Sequence, residues 1–101
     1  MRIWQVRRDH PRRRELLFID WASRQAHEGG ALRLADYEAV WEEPDPPDGA
    51  DPEAVFERFN LDRPPGFAGH SLSVSDIVET GGRFYYCDSV GFVDITESVE
   101  P

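Results

Sequence analysis

The sequence predicts a small α+β domain, and three observations carry that expectation. Strand-like alternation occurs in residues 2–6 and 36–42 and returns from 77 to 95; two short segments carry helix-capping signals; and Gly81-Gly82 divides the C-terminal run as a tight hairpin turn does. The expected architecture is a mainly antiparallel sheet of about five strands, with two short helices on one face. At 101 residues the chain makes one domain, residues 1–101, with one modest core.

The elements follow in order. Ile3 and Gln5 alternate with Trp4 and Val6, as in a short strand, and the polar residues 7–14 read as a turn. Asp20 is placed to cap a helix over residues 21–28, which Gly29-Gly30 end by supplying positive φ. In residues 36–42 Tyr37, Ala39 and Trp41 fall on one side of a second strand and the acids and Val40 on the other. Residues 43–50 hold Pro and Asp without a large apolar anchor and read as an exposed acidic connector.

Asp51-Pro52 starts the second helix, because the Asp side chain accepts orphan amides and proline's fixed φ suits the first turn. Val55, Phe56 and Phe59 form its apolar face, and Asn60 is expected to end it in the left-handed region with Leu61 folded back. Arg63 to Phe67, with two prolines, must be extended or turning. The hairpin at Gly81-Gly82 predicts pairing of Val78 with Tyr85 and of Ile77 with Tyr86. A last strand spans 91–95, and residues 96–101 are expected to fray.

Charge is unevenly placed. Residues 1–35 carry eight Arg against four acids, whereas residues 36–101 carry three Arg against sixteen, for a total of −9. That field repels phosphates over most of the surface and attracts basic proteins, so direct nucleic-acid binding is disfavoured. Arg7, Arg8, Arg12, Arg13 and Arg14 are the exception if the fold gathers them, and otherwise form a solvated loop pairing with the acids. One cysteine, Cys87, excludes an intramolecular disulfide and suits a reducing compartment, and no apolar run is long enough for a signal or membrane segment. The expected location is cytoplasmic.

The chemistry-bearing residue types do not assemble into a known site. His70, Ser71, Ser73, Ser75 and Asp76 are hydrolase types, yet adjacent strand residues face opposite ways and no nucleophile elbow is present. Their expected role is structural, with the hydroxyls and Asp76 bonding local amides and His70 bonding a buried carbonyl. Cys87 lacks a second cysteine, His10 and His27 sit apart, and Asp45, Asp48 and Asp51 miss the spacing of a calcium loop. No catalytic residue, cofactor or metal is therefore assigned. Among the aromatics, Phe67 and one of Tyr85 and Tyr86 are the candidates for exposure.

The unbroken run Phe59-Asn60-Leu61-Asp62-Arg63-Pro64-Pro65-Gly66-Phe67-Ala68-Gly69-His70-Ser71-Leu72-Ser73-Val74-Ser75-Asp76-Ile77-Val78 closely resembles the signature of the YodL-like domain. Residues 85–92, Tyr85-Tyr86-Cys87-Asp88-Ser89-Val90-Gly91-Phe92, are similar to that family's second block. The resemblance implies a small cytoplasmic α+β domain carried by bacteria and their mobile genetic elements. It transfers no catalytic or cofactor residues, since none is established for the family.

The resulting expectation is a non-catalytic, acidic protein-interaction module that binds and modulates a host or element protein. Arg63, Phe67, His70, Asp76 and Tyr85 are the candidate partner contacts. An anti-defence inhibitor whose carboxylates imitate DNA phosphates is a variant of this expectation. A small enzyme built on His70 and Asp76 is the rival, and it requires those side chains to converge in a pocket with a perturbed acid or base.

Overall fold

A computed structural model describes the backbone of residues 1–101 and every side chain except that of Glu28. Strand β1 (Arg2–Val6) is followed by helices α1 (Arg13–Leu16) and α2 (Trp21–Glu28), then by the two-residue strand β2 (Leu32–Arg33). After a 3-10 turn come β3 (Tyr37–Glu42), α3 (Pro52–Leu61), the hairpin β4 (Ile77–Thr80) and β5 (Arg83–Cys87), β6 (Phe92–Asp94) and β7 (Val99–Glu100). Five strands form one antiparallel sheet in the order β3-β1-β4-β5-β6. The α+β class and the antiparallel sheet are as the sequence predicts.

Local signals account for the element ends. Asp20 accepts a hydrogen bond from Ser23 N at 3.0 Å and Gly29 closes α2 at φ 77°. Asp51 accepts from Glu53 N at 3.1 Å in front of Pro52, at the start of α3. Gly81 and Gly82 both have positive φ, 59° and 76°, and the hairpin pairs Val78 with Tyr85 and Ile77 with Tyr86, in the predicted register.

The helices do not share one face. Neighbours along a strand enter different apolar clusters: Val6, Ile77 and Tyr86 join Trp21 of α2, while Ile3 and Val78 join Val55 and Phe59 of α3. Because successive strand side chains point to opposite sides, α2 and α3 cover opposite faces. The central strands β1 and β4 are apolar on both sides and need cover on both.

Four further expectations are corrected. A register shift between Ile3 and Trp4 inserts Val40 as an extra residue opposite β1, so Tyr37 packs in the first cluster and Trp41 in the second. Helix α3 runs through Asn60 to Leu61, which is 79% exposed and does not fold back. Asn60 serves instead as a clamp on the following loop, donating to Leu72 O at 3.0 Å and accepting from Leu72 N at 2.7 Å. The tail is not frayed: Thr96–Ser98 make a 3-10 turn and β7 pairs in parallel with β2. In the connector, Asp45 accepts from Thr80 Oγ1 at 2.5 Å and from Gly81 N at 3.1 Å, which fastens it to the hairpin turn.

The Asn60 clamp orders the loop that leads into the candidate site. Asn60→Ala removes two hydrogen bonds at once and is expected to lower unfolding stability by about 2 kcal/mol. Urea denaturation reads this directly, and a loss below about 0.5 kcal/mol would assign the loop's order to packing alone.

Candidate functional site

The loop between α3 and β4 packs against β1 through one side-chain amide. Gln5 is buried on β1; its Nε2 donates to His70 O at 2.9 Å and to Asp76 Oδ2 at 3.0 Å, while its Oε1 accepts from His70 N at 3.2 Å. Gly69 makes that approach possible, because a Cβ there would lie 2.3 Å from Gln5 Oε1 and 3.0 Å from Gln5 Cδ. The predicted local bond of Asp76 is present, its Oδ2 accepting from Ser73 N at 3.0 Å, but His70 Nδ1 lies 2.7 Å from the exposed Ser71 O and not from a buried carbonyl, and the hydroxyls bond no local amide, Ser71 Oγ accepting from Arg63 Nη2 at 2.8 Å and Ser73 Oγ being buried without a partner. Ser75 sits between them at φ 90°, held by Tyr37 Oη donating to its carbonyl at 2.8 Å and by Phe18 N donating to its hydroxyl at 3.2 Å.

The candidate contacts do not form one surface. Asp76 is 0% exposed and offers a partner nothing. Its Oδ1 has no hydrogen-bond partner, and burial pushes its carboxyl up to about 8 against the bonds from Ser73 and Gln5. His70 is half-buried and reaches Asp76 only through Gln5. Phe67 is half-buried too, wedged edge-on between Trp41 at 6.2 Å and Phe59 at 5.1 Å, with the Arg63 guanidinium 5.8 Å from its ring centre. Tyr85 is half-buried beside Asp94 of β6, and Tyr86 is buried in the first cluster. The large apolar side chains left in solvent are Phe18, Leu61 and Val90.

A cleft of about 610 Å³ opens elsewhere, between α3, residues 72–74 and the β5–β6 turn. Phe56, Leu72, Val74 and Phe92 supply its apolar walls, with the Phe56 and Phe92 rings edge to face at 6.2 Å. Glu53, Glu57 and Asp88 also line it. None of the three makes an ion pair among the described residues; Arg58, on the same helix as Glu53 and Glu57, pairs instead with Glu43 at 2.9 Å. Cys87 lies at the cleft and is buried; desolvation, with the charges of Asp76, Asp88 and Glu53, pushes its thiol up to about 12, so it is a neutral wall and not a nucleophile.

The sequence reading missed three groups. Gln5 reads only as one member of the first strand's alternation, and nothing local marks it as the partner of residue 76. Arg24 is 2% exposed, donating to Tyr37 Oη at 3.3 Å with its guanidinium 5.6 Å from that ring centre, and the sequence reading gave it no role. The acidic cleft joins segments too far apart in sequence to be seen together. Among the described residues, no group of three or more His, Cys, Asp or Glu side chains could hold a metal ion, and no helix is long and apolar enough to cross a membrane.

An antiparallel sheet covered by a helix on each face, with a loop-to-strand junction sealed by a buried carboxyl and amide, defines a small α+β domain. The family model of the YodL-like domain matches residues 1–97, and the chain belongs to that family. Searches of curated proteins and of solved structures each found no match.

Two outcomes follow from the junction. Asp76 holds its proton in the folded state up to about pH 8 but releases it near 3.8 when unfolded, so the native state binds more protons between those values. The contribution of Asp76 to stability is therefore full below about pH 4, falls as pH rises towards 8, and levels above it; its size is on the order of 2–5 kcal/mol. Denaturation midpoints across pH 4–9 measure this, and Asp76→Asn should flatten the profile. Separately, Gly69→Ala should cost about 2 kcal/mol or more through its collision with Gln5, whereas the same change at Gly66 meets no atom within 4 Å and bears only the strain of its φ of 85°.

Proposed function

We propose that this domain is a non-catalytic protein-interaction module that receives a cationic, partly apolar segment of a bacterial or mobile-element protein and modulates it. The observation that carries this reading is the cleft beside α3, where three carboxylates without cationic partners surround walls of Phe56, Leu72, Val74 and Phe92. Carboxylates gathered in one place repel each other, and an incoming Lys or Arg relieves that repulsion while an apolar side chain replaces water against the aromatic walls. The chain's net charge of −9 steers a basic partner towards it. Phe67, held between Trp41 and Phe59, supports the loop and is not itself the anchor.

The rival reading as an enzyme has one favourable feature, the raised carboxyl of Asp76. Its side chain, however, has no exposed surface, and Gln5 stands between it and the His70 segment. A proton acceptor with no access to substrate performs no acid–base chemistry.

Selection of a random peptide library displayed on phage tests the proposal. The expected survivors carry Lys or Arg beside Leu, Ile, Phe or Trp; their affinity falls at least ~10-fold for Glu57→Lys and falls again between ~0.05 and ~0.5 M salt. Enrichment of acidic or uncharged peptides, no enrichment at all, or binding indifferent to Glu57→Lys would each overturn it.

A further inference from the structure

We propose that a second copy of this chain fills the cleft beside α3, each copy lending the other the turn that carries Phe18. The inference rests on the cleft reading above and names one occupant for it. A further partner then gains the cleft only by displacing that second copy.

Phe18 is 64% exposed, with only a tilted approach to the His70 ring, centres 6.5 Å apart. Its φ of 62° lies in the left-handed region, where a bulky aromatic residue is strained. Bonds on both sides hold it there: Leu17 N donates to Arg13 O at 2.9 Å, Phe18 N to Ser75 Oγ at 3.2 Å and Tyr86 Oη to Ile19 O at 2.5 Å. The ring is thus presented to solvent by a turn already fixed, and an anchor fixed before contact loses little entropy on docking. The same bonds keep the turn out of its own chain's cleft, whose lining includes none of residues 12–19.

A free cation accompanies the ring. Arg14, four residues earlier, is exposed and makes no hydrogen bond or ion pair among the described residues. The other two large exposed apolar residues lack such a companion: residues 84–101 around Val90 contain no arginine, while the arginines flanking Leu61 are committed, Arg58 to Glu43 at 2.9 Å and Arg63 to Ser71 Oγ at 2.8 Å. Phe18 with Arg14 is therefore the exposed cationic and apolar pair that the chain itself supplies. The cleft is its complement, with the rings of Phe56 and Phe92, three carboxylates without ion pairs, and about 610 Å³ to hold a phenyl ring with a guanidinium beside it.

Turn and cleft meet at Asp88 and Ser75. Trp21 N, three residues after Phe18, donates to Asp88 Oδ1 of the cleft at 3.1 Å, and Ser75, which holds Phe18 N, adjoins Val74 of the cleft wall. A donor and an acceptor side by side pair reciprocally about a two-fold axis, so two copies close both contacts at once and leave neither open for a third. The net charge of −9 on each copy opposes the approach at long range, but salt at about 0.15 M screens it beyond ~8 Å and weakens pairs in contact much less.

Sedimentation equilibrium of the full chain from about 10 µM to about 1 mM, in about 0.15 M salt, tests the pairing. A monomer–dimer equilibrium is expected. Phe18→Asn, which suits a positive φ, should weaken it at least ~10-fold without lowering the urea midpoint. Arg14→Glu and Glu57→Lys, both at exposed side chains, should each weaken it as much, and mixing these two variants should restore it, because each then meets only opposite charge in the other. A dimer indifferent to any of the three changes, a mixture that stays monomeric, or assembly beyond the dimer would overturn the pairing. A chain monomeric throughout would overturn it as well: library-selected peptides still bound in the cleft would then leave the cleft reading standing, and their failure to bind would sink both.

Discussion

The primary amide of Gln5 is the joint on which the domain depends. One side chain on a central strand donates to the loop carbonyl of His70 and to the carboxyl of Asp76, and accepts from the His70 amide. An amide suits this position because it offers both donors and an acceptor without charge, in a place where an ion would have to be desolvated. Around it the surroundings are shaped to fit: Gly69 carries no side chain, Ser75 accepts a left-handed backbone, and Asp76 keeps a proton that an exposed aspartate would lose. Residues 59–78 thus include a set of side chains that close one loop onto β1.

This joint also separates the molecule into two chemical environments. On one side lie the arginines that enter from the N-terminal turn; on the other lie α3 and the β5–β6 turn, where acids dominate. Arg8 and Arg13 line one cavity and Glu53, Glu57 and Asp88 another, with no lining residue in common, so the uneven charge of the sequence survives folding as two unlike surfaces. A chain that folded its arginines onto its acids would have had neither.

How much of this was legible in the sequence follows from the range of each interaction. Asp20, Asp51-Pro52 and Gly81-Gly82 act within one turn of chain, and each set its element as read. The hydrogen bonds of Ser73 with Asp76 and of His70 with Ser71 are local for the same reason. The placement of α2 and α3 on opposite faces, the clamp of Asn60 on Leu72 and the pairing of β7 with β2 depend on partners brought near only by the completed fold. Arg24 is the clearest case. Its burial follows from the Tyr37 hydroxyl and ring that receive it, which lie in another element and leave no mark in the sequence of α2.

The position of β1 has a consequence for how the chain reaches this state. It is the first strand made yet it lies inside the sheet, pairing with β3 on one side and with β4 on the other. During synthesis its second edge stays open until residues 77–80 have emerged, so an apolar strand with only β3 to pair with waits while much of the domain is translated. Closure then joins segments more than seventy residues apart, as Trp4 meets Ile77, which makes it the slow entropic step of folding. The Gln5 bonds to His70 and Asp76 form in that same event, acting as the latch that records its completion.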